Sequence, residues 1–312
     1  MACISLDDGS VDNDANDAND ANAANAANVA NAANAARDAL ADWPAPSGAP
    51  VSRRGLGALA QPCLTTAQHT PRFVFQEATA VLIVSGRLDL DDGLTRMTID
   101  VPASLLLVEA GIGADLEKTP GGAARCFRSV FLTFSAALLD AFERGRPAAA
   151  ADTAHDAAFR SIPLDDDLAA SLRQVAGSMT NAALSDERLR YRLLDLLAAL
   201  DERGFRFRRI DRHSTAAQVR TLIGDAPARH WTAHEAGKAL AMSPATLRRR
   251  LAAENARFED LLIEVRMHHA MLLVQTTTWG VARIAEACGY QSRARFSQRF
   301  HARFGCLPSV VR

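Results

Sequence analysis

Hydrophobic and polar positions divide the chain into distinct regimes. Between residues 72 and 135 the apolar residues come in short runs broken by turn residues. Residues 81–85 are an apolar run ended by Gly86, and residues 87–90 lead into Asp91-Asp92-Gly93, a turn signal. Residues 94–99 then alternate apolar and polar. A run at 105–108 follows Pro102 and stops before Gly111, and Phe127, Val130, Phe131, Leu132 and Phe134 form another. Short strands at about 8–12-residue spacing predict a small antiparallel sandwich or cupin-like barrel. After Ser135 the period lengthens. Leu138, Leu139 and Phe142 share a helical face, residues 164–180 read as a second helix, and Ser185-Asp186-Glu187 opens a third with a cap and first-turn acids. Leu189, Leu193, Leu196, Leu197 and Leu200 repeat at helical spacing until Gly204. These leucines read first as packing on the barrel, and second as a homodimer helix through 185–203.

Ahead of the strands, an Asn recurs at every third position from Asn13 to Asn34, with only Ala, Asp and one Val between. A period of three marks neither a helix face nor a strand face. Ordering such a segment would cost chain entropy with no apolar return. Residues 1–60, ending in a Pro/Gly-rich stretch, therefore read as a disordered low-complexity tail. Residues 61–210 follow as a barrel-plus-helices regulatory and dimerisation domain, and residues 211–312 as an all-α domain. The fold class is α+β.

Charge sharpens this division. The formal net charge is −1 over 312 residues, yet residues 211–312 carry 15 basic and 8 acidic groups. A local excess of cations is the footprint of a surface that neutralises phosphates. The cations are 33 Arg and only Lys118 and Lys238. The five cysteines, Cys3, Cys63, Cys126, Cys288 and Cys306, are scattered and suit a reducing cytosol better than a disulfide framework or structural zinc site. No apolar run of about 18 residues and no signal-peptide pattern is present, which points to a cytoplasmic location with no membrane partner. His69 is the only histidine near the strands and lies ahead of them. A three-histidine metal site cannot be built from it, so the barrel reads as a sensing or dimerising module with no metal or cofactor, rather than an oxygenase.

The strongest local signal lies between Trp231 and Arg312. Thr232-Ala233-His234-Glu235 is a capping box opening a short helix. Ala241-Met242 is a tight connection, and Ser243-Pro244 starts a second helix with Ser as N-cap and Pro at its first position. Leu247 and Leu251 can face inward, which leaves Ala245, Thr246, Arg248, Arg249 and Arg250 outside. A short helix, a tight turn and a basic helix make a helix-turn-helix, spanning about residues 232–254. The arrangement recurs over about 280–303. Residues 281–287 are the short helix, Gly289 suits the turn and Ser292 caps the second helix. Phe296 and Phe300 form its buried stripe, Arg293, Ala294, Ser297 and Gln298 remain outward, and Arg295 and Arg299 are placed for phosphates. Gly305 and Pro308 supply the stop. Between the units, residues 258–275 read as one amphipathic helix of roughly 27 Å. It could hold both second helices on one face of a duplex, about one turn apart.

At this point the chain resembles a known family. Residues from about 214 to 312 are similar to the DNA-binding domain of AraC/XylS-family transcription regulators. The matching stretches are residues 240–249, Arg266 with Ala270, residues 284–290, Phe296-Ser297-Gln298-Arg299-Phe300 and residues 304–309. Glu254-Asn255-Ala256-Arg257-Phe258 looks like the acid-resistance and virulence regulators of enteric bacteria, where Asn replaces a usual Gly. The resemblance implies base contacts from Ala245, Arg248 and Arg249 in the first unit, and from Arg293, Ala294, Ser297 and Gln298 in the second. Gln298 stands where Arg is frequent, Val311 where Tyr is usual, and Arg283 where an acid is common. Arg283 reads as a surface residue ahead of a phosphate ligand, and Trp231 and Trp279 as core anchors. His268, His269 and His301 read as surface or packing residues, and Cys288 and Cys306 as small core residues.

The expected function is a sequence-specific DNA-binding transcription regulator, an activator by the resemblance, and not an enzyme. Its expected partners are double-stranded DNA, RNA polymerase, a second copy of the chain, and a small apolar effector or regulatory protein; its expected place is the bacterial nucleoid. Two alternatives stand beside it. One is a DNA-repair methyltransferase with an appended helix-turn-helix, which needs a clustered reactive cysteine. The other is a barrel enzyme with a DNA-binding appendage.

Overall fold

The computed structural model describes residues 47–100, 104–122, 125–144, 157–208 and 214–311. The apolar runs become two antiparallel sheets. The first contains β1 (Val51–Arg53), β2 (Gly57–Ala60), β3 (Cys63–Leu64), β5 (Ala78–Ser85), β8 (Ser104–Val108), β10 (Phe127–Phe134) and β11 (Phe159–Pro163). Its order is β1-β2-β10-β5-β8-β11, with β3 also on β10. The second contains β4 (Gln68–Val74), β6 (Arg87–Asp91), β7 (Arg96–Ile99) and β9 (Gly113–Thr119), in the order β4-β9-β6-β7.

The run at 81–85 is unbroken because β5 is covered on both faces. Val81 and Ile83 join a core between the sheets with Phe73, Phe75, Leu88, Leu116, Phe127 and Phe131. Ala80, Leu82 and Val84 point the other way, into a core closed by α1 (Ala136–Glu143), α2 (Asp166–Thr180) and α3 (Asp186–Glu202). Ser135, Asp165 and Ser185 cap these three helices with their side chains. The leucine stripe of α3 is buried in that same core. On α3, half-buried Leu194 packs against the same core, while Tyr191 is left exposed on the outer face.

Two expectations are corrected. The tail does not run to residue 60, because residues 51–60 form the β1–β2 hairpin, which adds to β10 through Leu59↔Leu132 and Ala60↔Phe131. Strands of three and four residues have no alternation to read, and their order comes from a partner far along the chain. Gly57 is required there: a Cβ on it would lie 1.9 Å from the Thr133 carbonyl oxygen. The Asn-repeat at 13–34 lies outside the described residues. His69, placed ahead of the strands by the sequence, is on β4 with an exposed side chain.

The C-terminal domain contains α4 (Thr215–Gly224), α5 (Ala233–Ala239), α6 (Pro244–Ala253), α7 (Phe258–Thr276), α8 (Val281–Ala287) and α9 (Arg293–Phe304). Helix α7 has two cores along its length. Phe258, Leu261 and Val265 pack with α4, α5 and α6, while Met267, Ala270, Met271, Leu273 and Val274 pack with α8 and α9. At the join of α6 and α7, Glu254 reaches back to cap α4. Its carboxylate accepts from the amides of Thr215 (2.6 Å) and Ala216 (2.8 Å) and from the Ser214 hydroxyl (2.8 Å). Burial works to raise the Glu254 pKa, but the amides of Ala216 and Thr215 and the Ser214 hydroxyl outweigh it and hold the carboxyl below its ordinary 4.5. A lowered carboxyl pKa stabilises the fold above the ordinary value, and that stabilisation fades as pH falls through the folded one. Glu254→Gln should therefore melt earlier than wild type at pH 7. The gap should close on acidification below about 4.5; thermal melts across pH 3–7 check this, and a gap independent of pH contradicts it.

Candidate nucleic-acid interface

The first unit is built from α5 and α6. Thr232 and Glu235 complete the capping box: Glu235 N–H donates to Thr232 Oγ1 at 3.1 Å, and Thr232 N–H donates to Glu235 Oε2 at 2.9 Å. The turn is closed by the Met242 amide donating to the Gly237 carbonyl at 2.8 Å. Ser243 caps α6 through the Thr246 amide at 3.1 Å, with Pro244 at the first position. Leu247 and Leu251 are the buried residues of α6. The second unit repeats this plan on α8 and α9. Its turn is closed by the Tyr290 amide donating to the Ala285 carbonyl, also at 2.8 Å. Ser292 caps α9 through the Arg295 amide at 3.3 Å, and Phe296, Phe300 and Phe304 form its buried face. Gly305, at φ 73°, ends it in the left-handed conformation.

Arg266 ties the units together from the middle of α7. Its side chain is 9% exposed, donating from Nε to the Pro227 carbonyl at 3.2 Å and from Nη2 to the Arg229 carbonyl at 2.9 Å. Its guanidinium carbon lies 5.5 Å from the Tyr290 ring centre. Pro227 and Arg229 precede α5, and Tyr290 follows α8, so one cation contacts both units.

Residues 237–312 match a family model described as a helix-turn-helix domain. The urease operon transcriptional activator of Escherichia coli is 35% identical over 91 residues, covering 29% of this chain and 31% of that protein. The HTH-type transcriptional regulators YdeO and GadX of E. coli (strain K12) are each 33% identical, over 98 and 92 residues, covering 38% and 34% of their lengths and 31% and 30% of this chain. The C-terminal domain is of the AraC type. The chain spans about a third of the length of the curated relatives it matches.

Over a longer span the chain is similar in structure to ToxT from Vibrio cholerae. The apo form of a single-residue ToxT variant gives a TM-score of 0.57 at 14% identity, over 81% of this chain and 96% of that one. The wild-type form with an unsaturated fatty acid bound gives 0.55 at 15% identity, over 83% and 95%. At such identities the likeness is one of fold.

Within the AraC-type domain, the residues singled out from the sequence fall on two open surfaces. Ala245, Arg248, Arg249 and Arg250 on α6, and Arg293, Ala294, Arg295, Gln298 and Arg299 on α9, are exposed, while Thr246 and Ser297 are half-buried. Thr246 is partly engaged at home, its hydroxyl 2.9 Å from Ser243 Oγ. Arg250 Nη1 sits 3.8 Å from Met242 Sδ. Among the described residues, no ion pair takes up the guanidinium of Arg248, Arg249, Arg293, Arg295 or Arg299, and an outside anion can reach each. Cys288 is fully buried, and burial pushes its thiol up to about 12, an inert core group.

Sequence reasoning gave Arg266 no role beyond its place in the family pattern. A lone cation in an apolar helix was the available signal. Asn255, at φ 53°, adopts the left-handed conformation that its place in the pattern implies. The two turns solve the same backbone problem unequally. Gly289 has φ 75°, and a Cβ on it would lie 2.4 Å from Arg266 Nη2 and 2.9 Å from the Pro227 carbonyl oxygen. Ala241 takes φ 55° with its Cβ in place. Ala241→Gly is therefore expected to stabilise by about 1 kcal/mol, since a left-handed non-glycine residue costs roughly 1–2 kcal/mol and glycine's own entropy returns part of it. Gly289→Ala is expected to destabilise by about 2 kcal/mol or more. Urea denaturation of both variants checks the pair; shifts of the same sign would refute it.

Proposed function

We propose that this protein is a sequence-specific DNA-binding transcription regulator that activates transcription, inserting α6 and α9 into successive major grooves. The observation that carries this reading is the pair of unsatisfied, outward cationic surfaces on α6 and α9, hung from opposite ends of one shared helix. Base contacts are assigned to Ala245, Arg248 and Arg249, and to Arg293, Ala294, Ser297 and Gln298. Thr246, Arg250, Arg295 and Arg299 flank them. Arginine suits guanine edges, and glutamine suits adenine. The curated relatives named above are transcription regulators, which favours this reading over a repair methyltransferase or a barrel enzyme. It assigns no catalytic step. Its setting is the cytoplasm and its nucleoid, and its partners are duplex DNA and RNA polymerase. A homodimer through 185–203 would form on the outer face of α3, around exposed Tyr191. Footprinting on the promoters of its own genome tests the reading. Arg249→Ala should cost about 1–3 kcal/mol on the footprinted duplex and much less on random duplex, as expected for a bidentate base contact. Equal losses on both would reassign Arg249 to a phosphate.

Control is proposed to come from a small amphipathic carboxylic acid held between the sheets and α7. Lys118, on β9, is 3% exposed, and its ammonium donates to Gln275 Oε1 of α7 at 2.8 Å. Gln275 Nε2 donates in turn to Gln68 Oε1 at 2.6 Å. The ammonium lies 5.9 and 5.3 Å from the ring centres of Phe127 and Phe131, and no carboxylate among the described residues pairs with it. Burial alone pulls its pKa down to about 7. On the same faces, the hydroxyls of Thr70 and Ser129 have no hydrogen-bond partner among the described residues. A buried cation lined by aromatic rings and spare hydroxyls suits an anionic head on an apolar body. The fatty-acid-bound form of ToxT, a neighbour in fold, supports the same ligand class. Intrinsic tryptophan fluorescence should report saturable binding of a long-chain unsaturated fatty acid and much weaker binding of its methyl ester. Lys118→Gln should abolish that preference. Equal binding of acid and ester by the wild type would sink this assignment.

A further inference from the structure

Each unit of the AraC-type domain places a tryptophan one residue ahead of the N-cap of its first helix, Trp231 before Thr232 and Trp279 before Gly280. Each indole carries an arginine on its face. The guanidinium carbon of Arg229 lies 4.2 Å from the Trp231 ring centre, and that of Arg283 lies 3.9 Å from the Trp279 ring centre. The two arginines reach the same landmark from opposite directions in the sequence: Arg229 from the loop before α5, Arg283 from the first turn of α8. Both are exposed, and among the described residues no ion pair or hydrogen bond takes up their guanidinium N–H groups.

Local stability does not explain this arrangement. A cation in the first turn of a helix opposes the helix dipole, and Arg283 sits there on a helix whose N-cap Gly280 offers no side-chain oxygen. A cation–π stack at an exposed site adds little to the stability of a domain. What the stack does supply is pre-organisation. It rests the guanidinium against a rigid ring, so less side-chain freedom is lost when an anion arrives. The Arg229 backbone is fixed as well, because its carbonyl accepts from Arg266. In a helix-turn-helix the first helix lies across the sugar–phosphate backbone while the second fills the groove.

We propose that Arg229 and Arg283 are a matched pair of DNA phosphate clamps, one per unit, each stacked on the tryptophan that precedes its first helix. The proposal rests on the DNA-binding reading above and adds two contacts outside α6 and α9. They grip the backbone without reading bases, so they would fix the register in which the second helices meet the grooves.

The test is the salt dependence of binding, measured with the full chain on the footprinted duplex and on a random one. Each phosphate contact contributes about 0.9 to the slope of log K against log salt. Arg229→Ala and Arg283→Ala should each flatten the slope by about 0.9, and the double variant by about twice that, with the same fold-loss on both duplexes. Arg283→Lys should keep the slope and still bind several-fold more weakly, because a lysine keeps the charge and loses the stacked fork. Arg283→Gln, with thermal melts of every variant, separates loss of charge from loss of fold. Unchanged slopes in folded alanine and glutamine variants would overturn the clamps while leaving the DNA-binding reading intact, as would a loss confined to the footprinted duplex. A wild type that binds no duplex would overturn both.

Discussion

A single buried guanidinium decides how the two halves of the DNA-binding domain stand relative to each other. Placing a charge in a low-dielectric interior is costly unless its hydrogen bonds are replaced, and removing its partners leaves the cost exposed. Arg266 meets this demand without a carboxylate. Two main-chain carbonyls, of Pro227 and Arg229, accept from it, and the Tyr290 ring covers its other side. Those partners belong to different units. The loop that launches α5 and the turn that follows α8 are thus bound to the same point of a 19-residue helix. Carbonyls on a loop have fewer arrangements than a carboxylate on a flexible side chain, so the bond is directional as well as strong. Gly289 serves the same constraint twice, through its left-handed backbone and by leaving room for the guanidinium.

The same helix has a third neighbour. Leu272 packs against the core between the sheets, and Gln275 closes the polar chain with Lys118 and Gln68. The far end of Gln68 reaches Met271 Sδ at 2.9 Å. Arg303, on α9, donates to the carbonyls of Pro71 (3.1 Å) and Arg72 on β4, and His268 rests on Phe73 with ring centres 4.5 Å apart. Burial against the sheets, with the charges of His269, Lys118 and Arg303 nearby, pushes the His268 pKa down to about 3, which keeps it a neutral packing group at ordinary pH. These contacts fall on the C-terminal half of α7 and on α9. Ahead of the first unit, the end of α4 meets the sheet region through a looser link, the Arg54–Asp225 ion pair at 3.5 Å, with Arg54 largely in solvent. Exposed pairs of that kind contribute little.

The helical third of the molecule was legible because its signals are local. Thr232, Ser243, Ser292 and Gly305 act on backbone groups within four residues, and each is found doing so. The paired apolar residues of α6 and α9 are likewise fixed by helical spacing alone. The sheets were legible where β5, β8 and β10 are buried on both faces, and where the Asp91-Asp92-Gly93 turn joins β6 to the alternating β7. Strands β1 and β2 escaped because both are short and β2 pairs with β10, more than 70 residues away, which nothing in their own sequence says. Lys118 escaped for the same reason. Its isolation from acids is visible only once β9, β10 and α7 come together. Arg283 was read as surface decoration, and its sequence neighbours justify nothing more; the stacking on Trp279 is a property of the folded turn.

The unequal attachment of the two units bears on how control could reach DNA. A ligand shifts an equilibrium only by its differential affinity for the two states, and couplings between sites commonly amount to about 1–3 kcal/mol. The Lys118–Gln275 bond is of a size that an arriving carboxylate could displace, since both compete for one ammonium. Displacing it would remove one of the polar ties between the last turn of α7 and the sheets, and leave Arg266 still holding the middle of the helix. The first unit, packed on the N-terminal half of α7, takes no part in the Lys118–Gln275 bond. The second carries Ser297 and Gln298 at the matching positions of α9, beside exposed Arg293, Arg295 and Arg299. Regulation through this interface would then act on the placement of the second unit relative to the first, and the two cores along α7 make that division possible.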